Sequence, residues 1–290
     1  MKLLVFGRTG QLGRAIRAQA ATAPGLVLTA LGRDAADLAR PGVCAAAICD
    51  AAPDAVINAA AFTDVDGAED DPALAHRINA EAPGAMARAC AVRRIPFVHV
   101  STDYVFDGSG TAPHTPDAPT APLNTYGRSK SAGEDAVRAA GGPHAILRTA
   151  WVFAAQGHNF VTTMLRLGAR HHVLRIVADQ VGGATPADAL AAACIATARQ
   201  LATDPGKSGT YHYAGTPEVS RADFARAIFA RAMLDCTVTG IATDQYPTPA
   251  PRPLNSRLDC TATETAFGIA RPDWHAALDD IIFRIPDSTE

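Results

Sequence analysis

Lysine is nearly absent from this chain. Only Lys2, Lys130 and Lys207 occur among 290 residues, so arginine carries almost all of the positive charge. A lysine kept against such a bias marks a position worth reading closely, because a compact ammonium and a planar guanidinium are not interchangeable. Net charge is also scarce: 26 Lys+Arg against 29 Asp+Glu leave -3, with no long run of one sign. The basic footprint of nucleic-acid binding is therefore missing, and no nucleic acid is expected as a partner. The six cysteines (Cys44, Cys49, Cys90, Cys194, Cys236, Cys260) form no CxxC pair, which fits reduced, mostly buried thiols and not a zinc or disulfide framework. Long apolar runs are lacking too. The run Leu3 to Phe6 breaks at Gly7, too short for a signal segment or a membrane span. The expectation is a cytoplasmic enzyme with no membrane partner.

What the chain does have is alternation. Apolar runs at 2–6, 26–31, 55–59, 96–101 and 145–149 are separated by helical patterns at about 11–22, 43–51, 72–93 and 127–140, the signature of βαβ units around a parallel sheet. Beyond Arg148 come a helix near 158–170, a strand at 173–178, an alanine-rich helix near 187–202 and a strand at 210–214. Ser220 with Asp223 resembles a capping box and opens a helix to about Leu234. Pro247, Pro249, Pro251 and Pro253 force an extended loop. The expected architecture is α/β. A doubly wound parallel sheet of the Rossmann type covers 1–150, with about 187–214 returning to it, and a smaller C-terminal α/β domain, mainly 151–290, serves the substrate.

Gly7-Arg8-Thr9-Gly10-Gln11-Leu12-Gly13 follows the first strand and runs into a helix. Its free amides and the helix dipole make a cradle for a pyrophosphate, with glycine where a side chain would block it. An NAD site usually ends its second strand in an acid, whereas this strand ends Leu31-Gly32-Arg33. An arginine there suits a 2'-phosphate, and so NADPH, with NADH as an accepted alternative and Arg8 as a helper.

Tyr126 and Lys130 are four residues apart at the start of a helical pattern, which puts them on one face. A tyrosine exchanging protons at neutral pH needs its pKa lowered by roughly three units, about 4 kcal/mol. An ammonium at about 4 to 5 Å supplies most of that at an effective dielectric near 20. Thr102 lies in Ser101 to Gly108, at the carboxyl end of the Pro96 to Val100 strand, where open α/β sheets hold their ligands. The expected catalytic set is Tyr126, Lys130 and Thr102.

These segments resemble the extended short-chain dehydrogenases and, within them, the dTDP-4-dehydrorhamnose reductases, over nearly the whole chain. The likeness is carried by the glycine loop, Asn58 to Asp66 with Ala68-Glu69, Ser101 to Gly108, Tyr126 to Lys130, Arg148 to Phe153, Asp179-Gln180 and Arg252 to Leu258. It implies reduction of dTDP-4-dehydro-L-rhamnose to dTDP-L-rhamnose for surface polysaccharide, with Tyr126 protonating the C4 oxygen and Lys130 holding the nicotinamide ribose. It further implies that Gly10-Gln11-Leu12, Asp37-Leu38 and Ala61-Phe62-Thr63 line the cofactor. Asp103 and Tyr104 join Thr102 at the sugar, Trp151 stacks on its ring, and Arg252 is a candidate for the diphosphate.

Two departures stand out. Some enzymes of this type dimerise around a magnesium ion held partly by an acid two positions after the last loop glycine, where this chain has Ala15; no metal site is expected, and a homodimer would lack that support. Where the family commonly reads Gly-Ala-Pro-Thr after Asp-Gln-x, this chain reads Gly182-Gly183-Ala184-Thr185 before Pro186. Alternatives are a reductase giving the C4 epimer and a non-catalytic regulatory subunit resembling that of methionine adenosyltransferase. An epimerase or dehydratase shares the loop and the Tyr-Lys pair, but a dehydratase needs an Asp-Glu pair after the threonine, and Asp103 is followed here by Tyr104.

Overall fold

The computed structural model describes residues 1–284. Its first half runs β1 (Lys2–Phe6), α1 (Gln11–Thr22), β2 (Val27–Leu31), α2 (Pro41–Ala51) and β3 (Ala55–Asn58). After α3 (Gly67–Asp70) comes one long helical passage: α4 (Pro72–His76), a π-helical turn (Arg77–Glu81) and α5 (Ala82–Val92). Then follow β4 (Phe97–Thr102), α6 (Thr125–Ala139) and β5 (His144–Thr149). The second half contains β6 (Val152–Phe153), α7 (Phe160–Gly168), β7 (Val173–Val177), β8 (Val181–Gly182), β9 (Thr185–Pro186), α8 (Ala187–Thr203) and β10 (Gly209–His212). It ends with β11 (Val219–Ser220), α9 (Arg221–Arg231), β12 (Thr237–Ile241), β13 (Asn255–Ser256), α10 (Thr261–Phe267) and α11 (Trp274–Arg284).

Six parallel strands form the main sheet in the order β2-β1-β3-β4-β5-β10. The winding reverses between β1 and β3, and the crevice beyond the carboxyl ends of those strands is where such sheets bind ligands. Leu3, Val5 and Ile57 face α1 and α8, packed with Ile16, Leu190 and Cys194, while Leu4, Phe6 and Val56 face α2 and α5, packed with Ile48 and Met86. Helix α8 thus lies on one face of this sheet, and β10 extends its edge beside β5.

A separate core gathers Phe153, Val161, Met164, Phe224, Ile228, Trp274 and Leu278 beneath the parallel pair β7 and β12. The sequence pattern anticipates neither β12 nor α10 and α11. Helix α11 was legible, since Trp274, Leu278 and Ile281 fall at a helical period and all are buried. The cap of α9 forms with a difference. Ser220 Oγ accepts from the Asp223 amide at 3.0 Å but donates to the Asp223 carboxylate at 2.7 Å, because aspartate is too short to reach back to the Ser220 amide as glutamate would.

Helix α6 carries Glu134 into the interior, fully buried. Arg148 of β5 meets it with two hydrogen bonds, at 2.9 and 2.7 Å, and Ser101 of β4 donates a third at 2.6 Å. The exposed Arg138, one turn along α6, also reaches this carboxylate at 3.3 Å, but losing the buried Arg148 leaves most of the buried charge uncompensated, which costs roughly 3 to 5 kcal/mol. Arg148→Met is therefore expected to lower unfolding stability by about that amount in urea titration, and a loss below about 1 kcal/mol would contradict this reading.

Candidate active site

The cradle begins where β1 ends. Gly7 turns with φ 102°, and a side chain there would meet the Ala59 carbonyl group at 2.9 Å, so only glycine fits. The amides of Gly7 and Arg8 donate to the Leu31 carbonyl at 3.0 Å, tying the loop to the end of β2. Gly10 caps α1 with open space at its Cβ position apart from the Gly7 carbonyl oxygen at 3.6 Å. No side chain caps α1 and no acid lies in its first turn, so its first amides are free for an anion. The Gln11 side-chain oxygen is buried without a hydrogen-bond partner among the described residues. Leu12 and Gly13 are buried in the first turns of α1.

Around this cradle stand the other expected cofactor residues. Arg33 is exposed at the end of β2, and Arg8 donates to both carboxylate oxygens of Asp34 at 3.1 Å. The Asp37 carboxylate accepts from the Ala39 amide at 3.0 Å, and Leu38 packs into the core. Ala61 and Phe62 are half-buried and Thr63 is exposed. The backbone of Phe62 is clamped from both sides by the buried Asn79 amide, at 2.8 and 3.0 Å. Asn79 sits in the π-helical turn, a geometry frequent at functional sites, and also donates to Ser129 of α6 at 2.9 Å. An open glycine, a free helix N-terminus and an unpartnered buried amide fit a dinucleotide.

Helix α6 is pinned at its start. Asn124 accepts from the Gly127 amide at 2.8 Å, and Glu69 of α3 accepts from the Thr125 amide and hydroxyl, both at 2.7 Å. Gly127 packs directly under the Tyr104 carbonyl oxygen, where any Cβ would collide. Tyr126 and Lys130 follow one turn apart. The Lys130 ammonium, 1% exposed, donates to the Val100 carbonyl at 2.7 Å and lies 3.3 Å from His99 Nε2. Asn58 Nδ2 in turn is 3.2 Å from His99 Nδ1. Burial pushes the Lys130 ammonium down to about 8. Burial, reinforced by the Lys130 charge, holds the His99 imidazole well below its ordinary value, and so neutral.

Tyr126 departs from the expectation. Burial raises its phenol above the ordinary tyrosine value, the Thr102 hydroxyl draws it partly back, and Asp103 and Tyr104 push it further up. The Lys130 ammonium is held instead by the Val100 carbonyl and beside His99. The phenol is therefore neutral at pH 7, the form from which a proton can be given.

On the outer side, Asp103 is 2% exposed and its Oδ2 has no hydrogen-bond partner among the described residues. Burial raises its carboxyl to about 6, against the pull of the Ser256 and Thr102 hydroxyls and of Arg221. Thr102 Oγ1 donates to Asp103 Oδ1 at 3.0 Å and accepts from the Tyr104 amide at 3.2 Å. The rings of Tyr104 and Tyr126 meet edge to face at 5.5 Å. Trp151 holds a left-handed backbone, φ 51°, rare for a bulky residue and a mark of functional sites. Its indole lies against Gly182, and the Arg221 guanidinium stacks 3.6 Å from the ring centroid. Arg252 is engaged by both oxygens of Asp66, at 3.0 and 2.8 Å, and by the Ala250 carbonyl. Asp179 accepts from Thr243, and the Gln180 carbonyl receives the Arg221 amide, so that motif supports the start of α9.

The structure thus brings Thr102, Asp103, Tyr104, Tyr126 and Trp151 together. Sequence reasoning missed His99, Asn79 and Arg221. His99 lies two residues before Ser101 on an inward strand face, a signal the alternation of β4 contains; nothing local marks Asn79 or Arg221.

The family model described as RmlD substrate binding domain matches residues 1–285. This chain belongs to that family. Among its relatives, the dTDP-4-dehydrorhamnose reductase of Burkholderia thailandensis is 45% identical, covering 96% of this chain and 97% of its own, and that of Sinorhizobium fredii is 40% identical over 98% of both. A crystal structure of a dTDP-4-dehydrorhamnose reductase from Clostridium acetobutylicum superposes with a TM-score of 0.91 at 34% identity, covering 98% of this chain and 99% of that one. One from Bacillus anthracis, solved in complex with NADP, has a TM-score of 0.89 at 30% identity, covering 97% and 98%. A UDP-glucose 4-epimerase from Brucella ovis, 19% identical, shares the fold alone.

Within this RmlD-family site, Asp103 gives a pH signature. Its folded pKa of about 6 lies above the ordinary carboxylate value, so between roughly pH 4 and 6 the folded state binds more protons than the unfolded. Stability accordingly falls as pH rises through that window. Asp103→Asn should remove that part of the slope in urea titrations across pH 4 to 7, and an unchanged slope would contradict it.

Proposed function

We propose that the chain reduces the C4 keto group of dTDP-4-dehydro-L-rhamnose with NADPH, giving dTDP-L-rhamnose for surface polysaccharide synthesis. The observation that carries this is a neutral Tyr126 between a dinucleotide cradle and a wall of the buried Asp103 and the half-buried Trp151 and Arg221. Bound at the cradle, NADPH supplies the hydride that becomes the new C4–H bond.

The residues of the chain do the rest. Tyr126 gives its phenolic proton to the C4 oxygen as negative charge develops there. The Thr102 hydroxyl, which donates to Asp103 at 3.0 Å, lies beside the phenol and eases its ionisation. Lys130, anchored on Val100 and His99, presents buried positive charge beneath the site and is placed for a ribose hydroxyl. Gln11, Leu12, Asp37, Leu38 and Ala61 to Thr63 line the dinucleotide, and Arg33 meets the 2'-phosphate. Arg252, three of whose hydrogen bonds go to Asp66 and Ala250, keeps two N–H donors for the diphosphate. We place residues 1–150 with about 187–214 in the dinucleotide half and most of 151–290 in the sugar half. The reduced thiols and the NADPH requirement suit the cytoplasm, and among the described residues no helix is long and apolar enough to cross a membrane.

Tyr126→Phe is expected to lower kcat by about 10²- to 10⁴-fold while NADPH affinity, read by fluorescence titration, stays almost intact; full activity in that variant would remove the acid role. Arg33→Ala should weaken NADPH about tenfold and NADH little. An equal effect on both would detach Arg33 from the 2'-phosphate.

A further inference from the structure

Arg221 brings a second guanidinium, beside that of Arg252, to the sugar side of this site. It opens α9, half-buried, with its carbon 3.6 Å from the centre of the Trp151 ring and 5.1 Å from that of Phe160. Stacking of this kind holds the guanidinium flat and directs its N–H donors outward in its own plane. Among the described residues those donors make no hydrogen bond and no ion pair. Arg252 nearby is already engaged by Asp66. Asp103 stands in the complementary situation: its Oδ2 is buried with no partner in hydrogen-bond geometry among the described residues, although the Ser256 hydroxyl acts on the carboxylate. The two charges act on one another and on Tyr104, yet among the described residues they make no hydrogen bond or ion pair.

A group that completes this arrangement must accept from Arg221 and donate to Asp103. A phosphate only accepts, so it would leave Asp103 unsatisfied and bring a second negative charge beside it. A hydroxyl does both. Since Thr102 and Tyr126 flank the reacting carbonyl, the hydroxyl that reaches Asp103 and Arg221 is one on the ring carbon next to it. We infer that Arg221, held on the Trp151 ring, is a specificity-determining residue that reads, together with Asp103, a sugar hydroxyl adjacent to the carbonyl. This rests on the sugar-nucleotide reductase reading above and adds to it a residue that neither the sequence motifs nor the fold singles out.

The test compares dissociation constants of dTDP-L-rhamnose and of dTDP for the NADP-bound enzyme by calorimetry, in the natural chain and in Arg221→Gln. Losing a hydrogen bond to a charged donor is expected to weaken dTDP-L-rhamnose roughly 10- to 100-fold, with dTDP unchanged. A parallel loss for dTDP would place Arg221 on the diphosphate and overturn the inference, as would no loss for either. Because Arg221→Gln disturbs the Trp151 stack, the second arm uses the natural chain with dTDP-L-rhamnose deoxygenated at C3: a comparable loss supports the inference, and full affinity overturns it. Turnover of the keto sugar by the natural chain is measured alongside. Turnover with no Arg221 effect discards this inference alone, whereas no turnover discards the reading beneath it and this inference with it.

Discussion

A buried carboxylate on α6 governs how the rest of the site is built. Glu134 enters the interior because Arg148 and Ser101 satisfy it there, and those partners belong to β5 and β4. The helix that carries Tyr126 and Lys130 is thereby locked to the two strands whose ends carry Thr102 and Trp151. Its other end is set by Glu69 on Thr125 and by the close contact of Gly127 with Tyr104. Between these fixed points the helix has no freedom to slide, so the phenol and the threonine hydroxyl meet without help from a flexible loop.

The charges at the site divide into those kept and those suppressed. Desolvation raises Tyr126 and Asp103 and lowers Lys130 and His99, as burial does to any charged form. A reductase needs this pattern in one respect above all: its tyrosine must hold a proton when the C4 oxygen becomes basic. The Lys130 ammonium is held by the Val100 carbonyl beside His99, one helical turn on from the tyrosine.

Much of this was readable in the residues. The glycine loop fixed the cradle because Gly7 and Gly10 answer to backbone geometry, which is local. The strands β1 to β5 followed from apolar runs, and Tyr126 with Lys130 from helical spacing. The direction of the Tyr126 shift was not readable, because it depends on how deeply the phenol is buried and on the Asp103 and Tyr104 that the fold sets around it. Arg221 was invisible for the same reason: it lies 70 residues after Trp151 in sequence, and only the fold stacks one on the other. Arg252 was visible as an arginine on a proline-rich loop, but its partner Asp66 lies 186 residues away.

The central claim is net transfer of hydride to a sugar carbonyl. Its most direct measurement follows NADPH deuterated at C4, in separate pro-R and pro-S forms, through turnover of dTDP-4-dehydro-L-rhamnose, with the product read by NMR. The account predicts that one of the two forms places a single deuterium at C4 of dTDP-L-rhamnose with equimolar NADPH consumption. A sugar recovered without deuterium and without NADPH consumed would contradict it.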